Sequence, residues 1–586
     1  MLSEDDKYTH AWRQVEVGQS GRPPYFNQRK DLILLLDGEL FYQDELRKKL
    51  QKGGETQEEL ILEAYEIWGE KFLTHLDGDF ALALVDKKNS KLILARDRVG
   101  KKPLYWADKG GYFLFGSELK GFLASGIIPQ TPSSEALATY LAFGYCPQDA
   151  TLIQNVNRLL PAHILVLDHF KKLRIESYWS LSSFFDPSTS LDRHETAQKL
   201  EYLLKQAVKE RTRNKKEVGC FLSGGLGSAS VGWFLKQNEQ QLPVSTFSTF
   251  FKGQNEEDYQ AAELFSEELG ANIRADTIDP AHWLSSLSDI LWKIEEPIAD
   301  PHLTALWQLT KMPSHGMAIF SGMGSDELLA GHSRYTLEQR ELGPIENFMG
   351  NLSLKIKKGL IPLYHFFGSN KAYDYLRSVR QSPYLTQYVH QNLLFQKKML
   401  TKISPTLAPL FDPIVFLEKF HNLNKLPNAV SAFIYLDLKT ALPDFYSRPF
   451  ERLTFESKLQ WETPFLDRRL IEFAAEIPEE EDLTEFETGA YLKAIMRPHF
   501  SQKLVERPKR LRRGFLSSWV NDPHILPHFL DLKNGVLVER GYIDKKWVET
   551  VLSTPQLRMR HFRQLFALLV LKTWFHLFIL KPVVQK

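Results

Sequence analysis

Two stretches of the chain carry residues of the type and spacing that hold phosphate. The first is CFLSGGLGSAS, Cys220 to Ser230, where an apolar strand runs into Ser223-Gly224-Gly225 and a helix starts near Ser228. Glycines let backbone N–H groups approach a ligand closely, and a helix N-terminus favours an anion, so phosphate or pyrophosphate is the natural guest. Read alone, the same residues suit a plain turn between strand and helix equally well. The second stretch is AIFSGMGSDELLAG, Ala318 to Gly331, again a strand, a Ser-Gly-x-Gly turn and a helix. Asp326 and Glu327 stand at that helix start. They either cap the helix and complement its dipole or hold Mg²⁺ against phosphates. Two such turns at the carboxyl ends of strands in one sheet fit the rule for ligand position in α/β folds, and the pair says more than either turn alone.

Positioning these turns requires a parallel sheet, and the surrounding pattern supplies one. A long helical stretch, Glu195 to Arg213, precedes an alternation of strands (EVGCFL, PVSTFS, NIRADTI, MAIFS) and helices (SASVGWFLKQ, YQAAELFSEEL, 281–293 and the segment after MAIFS). Such alternation predicts a sheet with helices on both faces. Residues 340–586 are mostly helical by pattern. Residues 32–123 differ in texture: LILLL ends at Asp37-Gly38, a turn signal; EELILEAYEIWG has helical spacing; FALALV, KLILAR, PLYW and YFLFG follow as short strands. Strands in succession predict an antiparallel sheet and an α+β layer. Residues 180–192, rich in Ser, Asp and Pro, read as a linker.

Composition removes several classes. A chain of 586 residues exceeds one core, so two or more domains are expected. With 73 Lys+Arg against 72 Asp+Glu, the charge gives no case for a nucleic-acid-coating surface. Two cysteines, Cys146 and Cys220, cannot build a disulfide framework or a Cys-rich zinc site. The N-terminus lacks the apolar stretch of a secretory signal. The apolar tract from Leu565 to Leu580 is interrupted by Lys572 and His576 and is shorter than the roughly 20 residues needed to span a bilayer. It reads as a buried helix, and the protein as cytoplasmic.

These motifs together resemble the asparagine synthetase (glutamine-hydrolysing) family over nearly the whole chain. SGGLGS looks like the family's pyrophosphate loop SGGLDS, VSTFSTFF like its adenine-side strand and SGMGSDELLAGHSRY like its second nucleotide loop. YLDLKTALPDF, ETPFLDRRLIEFAAEIP and RPKRLRRGF are similar to later synthetase motifs. LDGDFALALVDKKNSKLILARDRVGKKPLYW and FGSELKGFLASG are close to its glutaminase domain. The resemblance implies a truncated, Ntn-hydrolase-like glutaminase-type sandwich over 1–180 and a doubly wound, adenine-nucleotide α-hydrolase-like (PP-loop) domain with added helices over 193–586. It implies an ATP- and Mg²⁺-dependent ligase that adenylates a carboxylate for attack by an amine or ammonia. Leu222, Ser223, Gly224, Gly225, Ser228, Thr249, Ser321, Gly322 and Gly324 would bind ATP, Asp326 and Glu327 the metal, and Lys509 would stabilise the adenylate. Read without the motif, Lys509 belongs to a solvated basic loop with Arg507, Arg510, Arg512 and Arg513.

Four positions depart from the family pattern. Gly227 replaces the Asp of SGGLDS, Met323 replaces an acidic residue or a Tyr, Asp37 replaces the Asn of the NGE turn, and the glutamine-binding Asp falls near Gln57. The family's nucleophile is a cysteine directly after the initiator Met, whereas this sequence reads Met1-Leu2-Ser3. The glutaminase half is therefore expected to be inactive. Retention of the scaffold without the glutaminase is also the pattern of β-lactam synthetases and lasso-peptide cyclases. The expected function is an amide-forming ligase without glutamine hydrolysis. A macrolactam- or β-lactam-forming cyclase and a pseudoenzyme scaffold are the alternatives. Glu462, where the family has Arg, either marks a changed pocket or faces solvent or a new salt-bridge partner. Expected partners are a small-molecule or peptide carboxylate, and a second copy or a precursor peptide, with no nucleic acid and no membrane.

Overall fold

The run LILLL does not stop at Asp37-Gly38. In the computed structural model it continues as one strand, Leu32–Phe41, paired along its length with Asp77–Asp86. Gly38 is required here by close approach, since a Cβ would lie 2.0 Å from Asp79 O, and its φ of 141° lies where side chains rarely go. The sequence signal for a turn was a glycine serving a strand contact.

The structure describes residues 2–5, 8–11, 24–51, 54–168, 172–185, 191–238, 242–254, 256–331, 335, 383–423, 426–477, 488–508 and 515–583. The N-terminal sheet is antiparallel and has six strands: β1 (Tyr25–Phe26), β2 (Leu32–Phe41), β3 (Asp77–Asp86), β4 (Lys91–Arg96), β5 (His163–Leu167) and β6 (Leu173–Ser177), in the spatial order β6-β5-β4-β3-β2-β1. Period-two burial splits its side chains between two cores. Leu34, Leu82 and Ile93 share a cluster with Leu60, Ile61 and Ala64 of the helix Gln57–Trp68, while Ile33, Ala83 and Leu94 pack with Trp106 and Phe113 of a separate three-stranded sheet. The result is an α+β sandwich, as expected.

The helix α1 (Arg193–Thr212) opens on a capping box in which Asp192 and Glu195 satisfy each other's backbone N–H groups. It leads into a fully parallel five-stranded sheet: β7 (Val218–Phe221), β8 (Val244–Phe251), β9 (Ile273–Ile278), β10 (Ala318–Phe320) and β11 (Gln460–Glu462), in the order β9-β8-β7-β10-β11. β7 and β10 are buried throughout, as strands covered on both faces must be. The chain winds outward from β7 to β9, then returns to lay β10 on the other side of β7. The strand order therefore reverses between β7 and β10. The stretch 281–293 is two short helices, Pro280–Trp283 and Leu287–Ile294, rather than one.

The 180–192 stretch is anchored at its start. Leu181 and Phe185 are buried, and Phe185 packs edge-on against Tyr435. Residues 119–156 pack in the same core as the C-terminal helices, and Tyr140 Oη donates to Ala567 O at 2.8 Å. The final helix, Phe562–Phe578, is largely buried. Among the described residues, no helix is long and apolar enough to cross a membrane.

Candidate nucleotide site

β7 and β10 each deliver a glycine turn at the carboxyl end, and the two turns touch. Leu222 N donates to Phe247 O, extending the ladder one residue past β7. Ser228 then stitches the first turn: its Oγ accepts from Ser223 N at 3.2 Å and donates to Gly225 O at 2.9 Å. Gly224 adopts φ 76°, and a Cβ there would lie 2.1 Å from Asp258 O. The helix Leu226–Lys236 follows, with Gly225 as N-cap and no side chain capping its first turn. Its first amides are donors of the kind that hold an anion.

In the second turn, Ser321 N donates to Glu462 O of β11, and Ser321 Oγ accepts from Trp461 Nε1 at 2.9 Å. Gly324 has φ 90°, and a Cβ there would strike Leu466 Cδ2 at 2.4 Å. A Cβ on Gly322 would lie 2.4 Å from both Gly227 C and Ser228 N. Only glycine permits that backbone-to-backbone approach. Thr249 lies on β8 two residues beyond Phe247, which pairs with Phe221, and so sits past the end of β7 on the same edge. Leu222, Ser223, Gly224, Gly225, Ser228, Thr249, Ser321, Gly322 and Gly324 thus come together along one sheet edge.

The metal positions are less complete. Asp326 is half-buried and Glu327 buried at the start of the four-residue helix Ser325–Leu328. At Gly227, a Cβ would stand 2.1 Å from Ser325 Oγ, so the serine occupies the space a side chain would need. Among the described residues, no three of His, Cys, Asp and Glu are grouped to hold a metal ion. Asp326 and Glu327 are two neighbouring carboxylates at the second turn, the number with which Mg²⁺ is commonly held against phosphates. Met323 packs against an apolar cluster that includes Phe221, Phe247, Phe450 and Trp461. A thioether in that setting takes no proton.

Lys509 lies outside the described residues, as do Arg510, Arg512 and Arg513. Arg507 is described and is not simply solvated: its Nη1 donates to Gly224 O at 3.0 Å and its Nη2 to Asp258 Oδ1 at 2.7 Å. The sequence signal for it was a basic run after a proline-bearing motif, which does not reveal a partner 283 residues away.

The other altered positions lie elsewhere, Gln57 within the N-terminal part, Asp37 and Glu462 nearer the junction between the N-terminal sheet and the C-terminal part. Gln57 Oε1 accepts from Leu40 N at 2.9 Å and its Nε2 donates to Gly38 O at 3.3 Å, so its amide is spent on strand β2. Asp37 pairs with Lys102 at 3.3 Å, and Lys102 also reaches Glu451. Burial opposes charge on Lys102, but the Asp37 and Glu451 carboxylates hold its ammonium well above the usual lysine range. Glu462 does not face solvent. It is buried, with Lys215 Nζ at 3.4 Å, and burial raises its carboxyl while Lys215 pulls it back. Both cysteines are buried, and burial pushes each thiol up to about 12.

Comparison with known proteins identifies the family. The Asparagine synthase family model matches residues 199–576, and a Glutamine amidotransferase domain model matches residues 10–179. Asparagine synthetase (glutamine-hydrolyzing) 1 of Bacillus subtilis is 25% identical over 479 residues, covering 80% of this chain and 73% of that protein. A putative asparagine synthetase of Mycobacterium tuberculosis (strain H37Rv) is 25% identical over 515 residues, covering 83% and 77%. Amidase chyE of Penicillium rubens is 24% identical over 559 residues, covering 87% and 81%. With a family match over well more than half its length, on the segment that holds both glycine turns, this chain belongs to the asparagine synthase family.

Proposed function

We propose that the protein is an ATP-dependent, AMP-forming amide ligase that works without hydrolysing glutamine. One observation carries the reading. Two glycine turns meet at the carboxyl ends of adjacent parallel strands, where the strand order reverses, and an uncapped helix start supplies amide donors. Leu222, Thr249 and the backbone of both turns would hold ATP. A carboxylate oxygen attacks the α-phosphorus and pyrophosphate leaves. An amine or ammonia then attacks the acyl carbon, loses a proton, and AMP leaves with the electrons of the acyl C–O bond. The first step turns an unreactive carboxylate into an ester with a good leaving group. Lys509 would offset charge on that adenylate. Asp326 and Glu327 would hold Mg²⁺, which when bound screens phosphate charge.

The absence of glutaminase activity rests on the thiols. The chain has two cysteines, both buried and both too basic to ionise near neutral pH, so neither is a nucleophile for glutamine. The substrate is a small-molecule or peptide carboxylate, and an internal amine in that substrate would make the product a lactam. The test is pyrophosphate release from ATP and magnesium with candidate carboxylates and ammonia. Carboxylate-stimulated release, with no glutamate formed from glutamine, is expected. Absence of release with every acceptor would contradict the ligase.

A binding scaffold without turnover is the second reading, favoured by Ser325 filling the space beside Gly227 and by Met323 in the apolar cluster. It predicts bound ATP that stays intact in the same assay.

A further inference from the structure

The first glycine turn, Ser223 to Ser228, contains no charged side chain. Beside Gly227, where a carboxylate could hold a cation over the turn, Ser325 Oγ already fills the space, 2.1 Å from a Cβ position. What the fold brings to this turn instead is a guanidinium. Arg507 donates to Gly224 O and to Asp258 Oδ1. Asp258 is itself the floor of the turn, since its carbonyl oxygen is what a Gly224 Cβ would strike. A guanidinium carries five N–H donors, and these two bonds engage two of them. Its side chain remains 23% exposed. Backbone amides offer partial charges only, whereas a triphosphate or pyrophosphate brings several full negative charges. Arginine answers that need with a planar donor set that matches phosphate oxygens.

We propose that Arg507 is a phosphate-binding residue that supplies the positive charge at the first glycine turn. The inference rests on the reading that the two turns hold ATP.

Titration calorimetry on the full chain tests it, with ATP, inorganic pyrophosphate and adenosine as probes, in magnesium and in EDTA. Arg507→Ala is expected to lose about 10- to 100-fold for ATP and pyrophosphate while adenosine binding is unchanged. Arg507→Lys, which keeps a charge but not the fork, should fall between. Asp258→Asn separates charge from scaffolding. If Arg507 only braces the turn through Asp258, this variant weakens ATP as much as Arg507→Ala does, and the proposal is overturned. If Arg507 meets phosphate, Asp258→Asn, which frees the guanidinium from its carboxylate, binds ATP and pyrophosphate more tightly than wild type, whereas bracing through Gly224 O alone leaves both unchanged and overturns the proposal. Arg507→Ala binding ATP like wild type would also overturn the proposal and leave the nucleotide reading standing. A wild-type chain that binds no nucleotide under either condition would overturn both.

Discussion

The junction between the N-terminal sheet and the C-terminal part and the pair of glycine turns both bring Asp, Gly and basic residues together, to different ends. At the junction, acidic side chains close on basic ones within the chain. Asp79 meets Lys101, Asp77 meets Arg98 and Arg468, Asp467 meets Arg211, and Glu296 meets Arg158 and Arg448. Trp461 O and Tyr42 Oη complete the pairing, through Lys101 and Asp467. At the turns, glycine backbones meet and the helix Leu226–Lys236 starts without a side-chain cap. A region that finishes its own electrostatics is built to hold two parts together. A region that presents backbone donors at a strand switch has the geometry the proposed nucleotide site needs. Altered positions therefore need not mean one thing: Asp37 pairs with Lys102 at the junction and Gln57 is spent on strand β2, while Gly227 abuts Ser325 and Met323 packs in an apolar cluster.

Breaking the junction should give the largest effect on stability. Asp467 is buried, accepts from Arg211 and Tyr42, and caps the helix Arg468–Glu476. Asp467→Ala leaves Arg211 buried without its partner and is expected to lower stability by about 3–5 kcal/mol, read by thermal or urea unfolding. A loss below 1 kcal/mol would mean the junction is not held by these pairs. Breaking the turns should show the opposite balance. Gly322→Ala forces the two backbones apart, costing about 1–3 kcal/mol in stability but at least tenfold in ATP affinity. Full ATP affinity in a folded Gly322→Ala would dissolve the distinction between the two regions.

Much of this division is legible in sequence, for physical reasons. Alternating apolar strands and amphipathic helices predicted the parallel sheet because periodicity reports burial directly. The glycine turns were legible because the backbone approaches there admit no side chain. Missed was β11, Gln460–Glu462, three residues long and ending on a buried glutamate whose partner, Lys215, is far away in the chain. Asp37-Gly38 misled because a glycine forced by a cross-strand contact looks like a glycine forced by a turn. Arg507 was legible as basic but not as bound, since its partners Gly224 and Asp258 are distant in sequence.

Smaller effects sharpen the same contrast. Lys102→Met removes the cation shared by Asp37 and Glu451, leaving Glu451 buried. A loss on the order of 1–2 kcal/mol with unchanged ATP affinity is expected, from unfolding and titration of one preparation. His421 gives a pH signature. It is buried beside Gln148, and burial lowers its ring from the usual 6.5 to about 3. The unfolded chain takes up this proton first, so the stability from the neutral ring is present above pH 6.5 and is lost as pH falls toward 3. The loss amounts to about 1–2 kcal/mol by about pH 5, and His421→Leu should flatten that part of the profile.

The central claim is that the two touching glycine turns are a nucleotide site. Calorimetric titration of the full chain with ATP, in parallel with Gly322→Ala, tests it most directly. The account predicts saturable binding at one site per chain in wild type and its loss in the variant. Absence of binding in wild type, or equal binding in both, would contradict it.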